Sequence, residues 1–140
     1  MATFISHSPE QTATFAEQLA QNAAPGLVLG LDGDLGSGKT QFAKGFARGL
    51  GITEPVLSPT FGLLHIYTSG RMPLYHIDFY RLATQQEILH AGLDQFPAAG
   101  LTVVEWWDRW QGPLPPGFRK FHFDVLEENV RRITYDLLGS

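Results

Sequence analysis

Gly33-Asp34-Leu35-Gly36-Ser37-Gly38-Lys39-Thr40 fits G-x-x-x-x-G-K-[ST] at every fixed position. Each part has a chemical purpose. Glycines let backbone N–H groups turn inward around phosphate oxygens, in conformations closed to residues with a Cβ. A helix that begins where the loop ends aims its positive dipole at the same anion. Lys39 supplies a mobile cation for β- and γ-phosphates. The hydroxyl of Thr40 is a hard oxygen ligand suited to Mg²⁺. The chemistry indicated is binding of a nucleoside triphosphate with its metal, through residues 33–40. From average residue usage, a chance match in a chain of this size is about one in a hundred.

The loop alone leaves the metal and the attacking water unplaced. Phosphoryl transfer depends on positioning and charge stabilisation, so an acidic group near the metal is expected. It belongs at the end of a buried strand beside the loop. Asp78, in Tyr75-His76-Ile77-Asp78-Phe79-Tyr80-Arg81, and Glu105, which closes Leu101-Thr102-Val103-Val104-Glu105, both qualify. A carboxylate closing an apolar strand is expensive to bury unless paired or metal-bound. The plainer readings are an exposed strand-end acid for Glu105 and an ion pair to Arg81 or His76 for Asp78. Ser58-Pro59-Thr60 follows the helix after the loop. Its Thr is placed to touch Mg²⁺ or the γ-phosphate as switch segments do, with Pro59 holding Ser58 extended. On chemistry alone an ordinary turn fits those three residues equally well. Trp106, Trp107 and Trp110 suit stacking on a base, docking on a partner, or core packing. His65, His76, His90 and His122 lack metal-ligand spacing and read as surface or satisfied core residues, with His76 set apart by its closeness to Asp78.

These side chains need a scaffold. Ser8-Pro9-Glu10-Gln11 opens a helix running to about Asn22, with Phe15 and Leu19 on one face, and Ala23-Ala24-Pro25-Gly26 breaks it. Leu27–Leu31 is a continuous apolar run, suited to a strand buried on both faces. After the glycine loop, Phe42, Phe46 and Leu50 lie four apart on a helix from Lys39 to Leu50, with Gly51 as its stop. Phe61–Tyr67 and Pro73–Tyr80 read as strands around Thr68-Ser69-Gly70-Arg71. Thr84 to Glu87 is a second capping box, for a short helix ending near Gly92. Leu101–Glu105 is another buried strand, Gly112–Gly117 a loop, and Phe118–Leu126 with Val130–Leu137 a terminal antiparallel hairpin. The fold class expected is α/β, a P-loop NTPase-like domain spanning 1–140 with a mixed parallel and antiparallel sheet flanked by helices.

Composition narrows the function. A chain of 140 residues that is 44% hydrophobic suits one core. Its net charge of −4 disfavours independent binding to nucleic acid or an acidic membrane by bulk attraction. Arg119, Lys120, Arg131 and Arg132 could form a local basic patch but read as a solvated face. With no cysteine there is no disulfide and no thiolate chemistry. No apolar run reaches the roughly 18 residues of a membrane span, and the first ten residues do not resemble a secretory signal, so a cytoplasmic protein is expected.

Four motifs in this order and spacing, the glycine loop, Ser58-Pro59-Thr60-Phe61, His76-Ile77-Asp78-Phe79-Tyr80-Arg81 and Val104-Glu105-Trp106, resemble the TsaE (YjeE) family over nearly the whole chain. That is the bacterial P-loop ATPase of tRNA threonylcarbamoyladenosine biosynthesis. The resemblance implies ATP as nucleotide and TsaB and TsaD as partners. Together they complete the N6-threonylcarbamoyl modification of adenosine 37 in tRNAs reading codons that begin with A. It implies that TsaD makes the transfer while the ATPase resets the complex between cycles. It matches Thr40 and Glu105 to Mg²⁺ ligands, Asp78 to a catalytically important acid that joins them as a candidate metal residue, Ser58 to Thr60 to a switch-like segment, and Thr12 to an N-terminal Thr near the nucleotide. Two positions depart from the family pattern. Gln41 stands where a second Thr is usual, and Trp106-Trp107-Asp108 is more aromatic than the usual continuation.

Other classes share the loop. A small-molecule kinase needs a second substrate pocket and an Arg-bearing lid, and this chain has seven arginines and no evident lid insertion. A GTPase switch carries [NT]-K-x-D, which is absent around Lys39, Lys44 and Lys120. A nucleotide-gated binding module would have no need of Asp78 and Glu105. No arginine finger stands out, so slow intrinsic turnover is expected, with Arg81 an internal candidate. Lys39→Ala should abolish tight triphosphate binding in a calorimetric titration while leaving the circular dichroism spectrum intact; unchanged affinity would refute the assignment of the loop.

Overall fold

The structure, a computed structural model, describes residues 1–56, 64–80, 82, 84–93 and 95–138. Ser58, Pro59, Thr60 and Arg81 lie outside the described residues. The elements run β1 (Ala2–Ser6), α1 (Pro9–Gln21), β2 (Val28–Gly33), α2 (Lys39–Gly49), β3 (Leu64–Tyr67), β4 (Leu74–Asp78), α3 (Gln85–His90), β5 (Leu101–Glu105), β6 (Phe118–Glu127) and β7 (Val130–Tyr135). A 3-10 turn, Trp107–Arg109, follows β5.

Local chemistry explains most boundaries. Ser8 Oγ accepts from Gln11 N at 3.0 Å, and Gln11 Oε1 accepts from His7 N at 2.7 Å. The capping box thus closes one residue upstream of the cap itself. Thr84 Oγ1 likewise accepts from Glu87 N at 3.2 Å and opens α3. Gly51 at φ +81° and Gly92 at φ +73° take the left-handed conformation just past α2 and α3.

The sheet has seven strands in the order β1-β7-β6-β2-β5-β4-β3. Its middle, β6-β2-β5-β4, is parallel, and the outer pairs are antiparallel. The mixed sheet expected from the sequence is therefore present. Its parallel strands are covered on both faces, which is why β2 and β5 read as unbroken apolar runs. One face carries α1 and α2, with Phe15, Phe42, Phe46 and Leu50 packed on Leu29, Leu31, Phe121 and Phe123. The other carries α3 and the segment after β5, with Ile88, Leu82 and Leu93 against Val28, Ile77 and Val104.

β1 was not expected. Phe4 points inward and stacks on Phe15 at 4.3 Å between ring centroids, while Ile5 faces outward. An apolar residue on each face hides the alternation, and the strand exists because β7, far along the chain, offers it an edge. β4 is shorter than the expected Pro73–Tyr80 because the turns at both ends take the flanking residues, and Asp78 is its last member. Of the strand expected over Phe61–Tyr67, the described part is Leu64–Tyr67.

The two large helices touch backbone to backbone. A Cβ on Gly45 would lie 2.1 Å from Ala13 O, and one on Gly49 would lie 2.4 Å from Glu17 O. Ala is better than Gly in a helix by about 1 kcal/mol. Here the overlap is with fixed backbone, and overpacking costs about 1–3 kcal/mol or more. Gly45→Ala is expected to lower the urea midpoint; a gain in stability would mean that α1 and α2 are not in this contact.

Candidate functional site

β2 runs straight into the glycine loop. Gly33, Gly36 and Gly38 sit at φ +144°, +79° and +106°. Gly33 has a second reason to lack a side chain, since a Cβ there would lie 2.6 Å from Phe123 O. Ser37 N donates to Asp34 O at 3.0 Å, which tightens the loop, and Leu35 projects outward with 73% exposure. Gly38 is the N-cap of α2 and brings no capping side chain. The first-turn N–H groups of that helix are left for an anion, which fits a phosphate.

Lys39 is buried, 4% exposed. Its ammonium donates to Gly33 O at 2.6 Å, Asp34 O at 2.9 Å and Ser37 Oγ at 3.3 Å, and lies 4.1 Å from the centre of the Trp106 ring. Burial pulls its pKa below the usual lysine value, and the charges of Glu105, Asp108, Asp78 and Asp32 pull back the other way. The cation is thus caged by neutral oxygens and an aromatic face within an acidic surround.

The carboxylates come from adjacent parallel strands. Asp78 and Glu105 are register partners at the ends of β4 and β5. Both are buried, Glu105 at 3% and Asp78 at 8% exposure, so Glu105 is not an exposed strand-end acid. Thr40 Oγ1 donates to Glu105 Oε1 at 3.0 Å, across 65 positions of sequence. Glu105 Oε2 lies 2.5 Å from His76 Nε2. His76 is fully buried and its Nδ1 has no hydrogen-bond partner among the described residues. With Nε2–H donating to the Glu105 carboxylate, Nδ1 is left bare. His76 therefore serves Glu105, not Asp78. Asp78 Oδ1 accepts from Tyr80 N at 2.8 Å. Burial raises the Asp78 pKa above the usual carboxylate value, the Tyr80 N–H opposes that, and the charge of Glu105 adds to the rise.

These donors meet at the N-terminus of α2. A threonine hydroxyl and two carboxylates are hard oxygens, and Mg²⁺ takes one or two carboxylates alongside phosphate oxygens and water. The residues present fit both the metal and the phosphates.

Thr12 lies near the loop, with its methyl group 3.9 Å from where a Cβ on Gly38 would stand. Its hydroxyl is engaged elsewhere, donating to Ser6 Oγ at 2.7 Å. A cavity of about 170 Å³ beside the loop is lined by Thr12, Gly36, Gly38, Gln41, Asn129 and Arg131, among others. Arg131 Nη2 donates to Gly36 O at 3.3 Å. It is no solvated-face residue, contrary to its sequence reading, because the β6–β7 turn folds over the loop. The other three basic residues have separate partners: Arg119 on Leu137 O, Lys120 above the Trp107 ring, and Arg132 on Asp124.

The tryptophans divide. All three pack against the second core cluster. Trp106 also borders the site, with its ring 5.0 Å from Tyr80 and its backbone at φ +59°. Trp107 Nε1 donates to Asp32 Oδ2 at 2.8 Å, and Trp110 Nε1 to Pro113 O at 3.1 Å. Asp32 and Asn129 were missed in the sequence. Asp32 had a signal, a charge interrupting an apolar strand directly before the motif; Asn129 had none.

This fold and loop define a P-loop nucleotide-binding protein. Residues 6–133 match the family model described as threonylcarbamoyl adenosine biosynthesis protein TsaE. The tRNA threonylcarbamoyladenosine biosynthesis protein TsaE of Bacillus subtilis (strain 168) is 43% identical over 134 residues, covering 95% of this chain and 84% of that one. The protein of the same name from Treponema pallidum (strain Nichols) is 39% identical, covering 93% and 96%. The crystal structure of Bacillus subtilis YdiB superposes with a TM-score of 0.79 at 37% identity, covering 99% of this chain and 86% of that one. The chain belongs to the TsaE family.

His122 links to the loop strand. It hydrogen-bonds Asp32 through Nδ1 and Asp124 through Nε2, at 3.1 Å for the latter, and Arg132 pairs with the same Asp124. The bond to Asp32 is the main reason its pKa is raised above the ordinary histidine value. A raised folded value means the native state holds the proton more tightly. The stabilisation is therefore complete below the unfolded pKa of about 6.5 and is lost as pH rises through the folded value. His122→Gln should cost more stability at pH 6 than at pH 9 in urea unfolding; an equal cost at both would remove the charged histidine from the account. The side chain is 44% exposed, so the effect is small.

Proposed function

We propose that this chain is the ATP-binding and ATP-hydrolysing component of the tRNA threonylcarbamoyladenosine machinery, acting with TsaB and TsaD in the cytoplasm. The observation that carries this is the meeting of Thr40, Glu105 and Asp78 at the N-terminus of α2. A loop that only held a nucleotide would have no reason to bury two acids beside it.

The glycine loop and the α2 N-terminus bind the phosphates. Lys39 exchanges its bonds to Gly33 O and Asp34 O for oxygens of the terminal phosphates. Thr40 and Glu105 would hold Mg²⁺, with His76 keeping the Glu105 carboxylate in place. A metal held there would supply positive charge to the phosphates of the bound nucleotide. Asp78 has one oxygen taken by Tyr80 N and directs the other at the attacking water, which it orients. Orientation suffices, because the transition state is loose and little proton abstraction is needed at the outset. Thr60 senses the γ-phosphate and passes its loss to a partner surface. With no evident arginine finger, turnover alone is slow and a partner completes the site. The net charge of −4 favours contact with tRNA only within the complex.

The test is ATP hydrolysis with Mg²⁺ by the purified protein, alone and with TsaB and TsaD. Turnover should be slow alone, rise with the partners, and vanish in Lys39→Ala. Asp78→Asn should lose about 100-fold in kcat, the cost of a misplaced water, with ATP affinity little changed. Hydrolysis by that variant at the wild-type rate would strip Asp78 of its role. Tight binding with no hydrolysis under any condition would favour a kinase lacking its acceptor or a nucleotide-gated binding module.

A further inference from the structure

Trp106 is the one non-glycine residue at positive φ among the described residues, at φ +59°. A bulky side chain in the left-handed region persists only where its surroundings over-determine it. The conformation has a local result: it turns the chain out of β5 so that the Trp106 ring lies against the Lys39 ammonium, with Arg109 and Tyr80 around it. Two contacts fix the turn from outside. Trp106 N donates to Leu31 O at 2.9 Å, and the next residue, Trp107, donates from Nε1 to Asp32 Oδ2 at 2.8 Å. Both anchors lie on β2, immediately before the glycine loop. Trp107 also lies against Gly30, where any Cβ would come within 2.7 Å of its ring, and packs on Phe118.

We propose that Asp32 and Trp107 form a latch that holds the strained turn at Trp106, and so positions the aromatic wall of the Lys39 site. Asp32 is a positioning residue in this account, acting through Trp107 and Trp106. Its buried carboxylate is committed on both oxygens, Oδ2 to Trp107 and Oδ1 to His122. The latch ties the strand that enters the glycine loop to the strand that ends in Glu105, so that the two sides of the site move as one body. The effect on turnover rests on the ATPase reading above; the geometry of the latch does not.

The test compares Asp32→Ala, Trp107→Phe, the double variant and Asp32→Asn. Trp107→Phe keeps an aromatic ring on Gly30 and Phe118 and removes only the donor, so it should fold. Asp32→Asn keeps an acceptor for Trp107, and its amide can donate to His122 Nδ1 while Nε2–H turns to Asp124. Each variant is labelled with 5-fluorotryptophan, which gives one resonance per tryptophan, and Trp106→Phe assigns the one that matters. Asp32→Ala and Trp107→Phe should each move the Trp106 resonance toward the free amino acid and lower kcat about 10- to 100-fold, with ATP affinity changed far less. The double variant should be no worse than either single one, and Asp32→Asn should restore both readouts. An unmoved Trp106 resonance, additive losses in the double variant, or failure of Asp32→Asn to rescue would overturn the latch. If the wild type hydrolyses no ATP, the ATPase reading fails, and the resonance still decides whether the latch exists.

Discussion

Parallel strands finish together, and this site is built on that constraint. β2, β5 and β4 lie side by side and run the same way. Gly33, Glu105 and Asp78 therefore arrive at one edge of the sheet, although they are scattered through the sequence. The helix that follows β2 must leave from the same edge, and its N-terminus faces the two acids. No separate device is needed to bring the phosphate cradle and the carboxylates together. The Thr40–Glu105 hydrogen bond closes the arrangement. Everything else serves to keep these strands parallel and covered: α1 and α2 on one face, α3 and the tryptophan segment on the other.

Charge balance is the second theme. Lys39, Asp78 and Glu105 are all largely withdrawn from water. Burial alone would drive Lys39 and Asp78 toward their neutral forms. The lysine is opposed in this by the surrounding acids, and Asp78 by the Tyr80 N–H and by Lys39. A strongly acidic rim around a single ammonium has surplus negative charge.

How much of this could be read in the sequence depended on how local the cause was. The glycine loop, both capping boxes, the two buried strands and the helix face of Phe42, Phe46 and Leu50 follow from neighbours a few residues apart. Asp78 and Glu105 were legible because an acid at the end of an apolar run is an energetic oddity. Their adjacency was not, since it depends on β4 and β5 being neighbours. His76 stood out by its closeness to Asp78, yet a side chain two places along a strand shares a face with Asp78 and still reached across to Glu105. β1 was invisible because an outward Ile5 blurs its pattern and its partner is over a hundred positions away. Arg131 was misread for the same reason: nothing near it announces that a hairpin turn will bend over a glycine loop.

The strand order has a temporal side as well. β2 is hydrogen-bonded to β5 on one side and β6 on the other, and both lie far downstream. β1 finds its partner only in β7, with Ala2 opposite Tyr135. A ribosome delivers the chain from its first residue onward. The glycine loop and α2 are therefore among the early products, while every strand that flanks them is a late one. Long-range pairings of this kind fold slowly and leave apolar strands uncovered in the meantime. The strands that frame the nucleotide cradle are therefore in place only after most of this sequence has emerged.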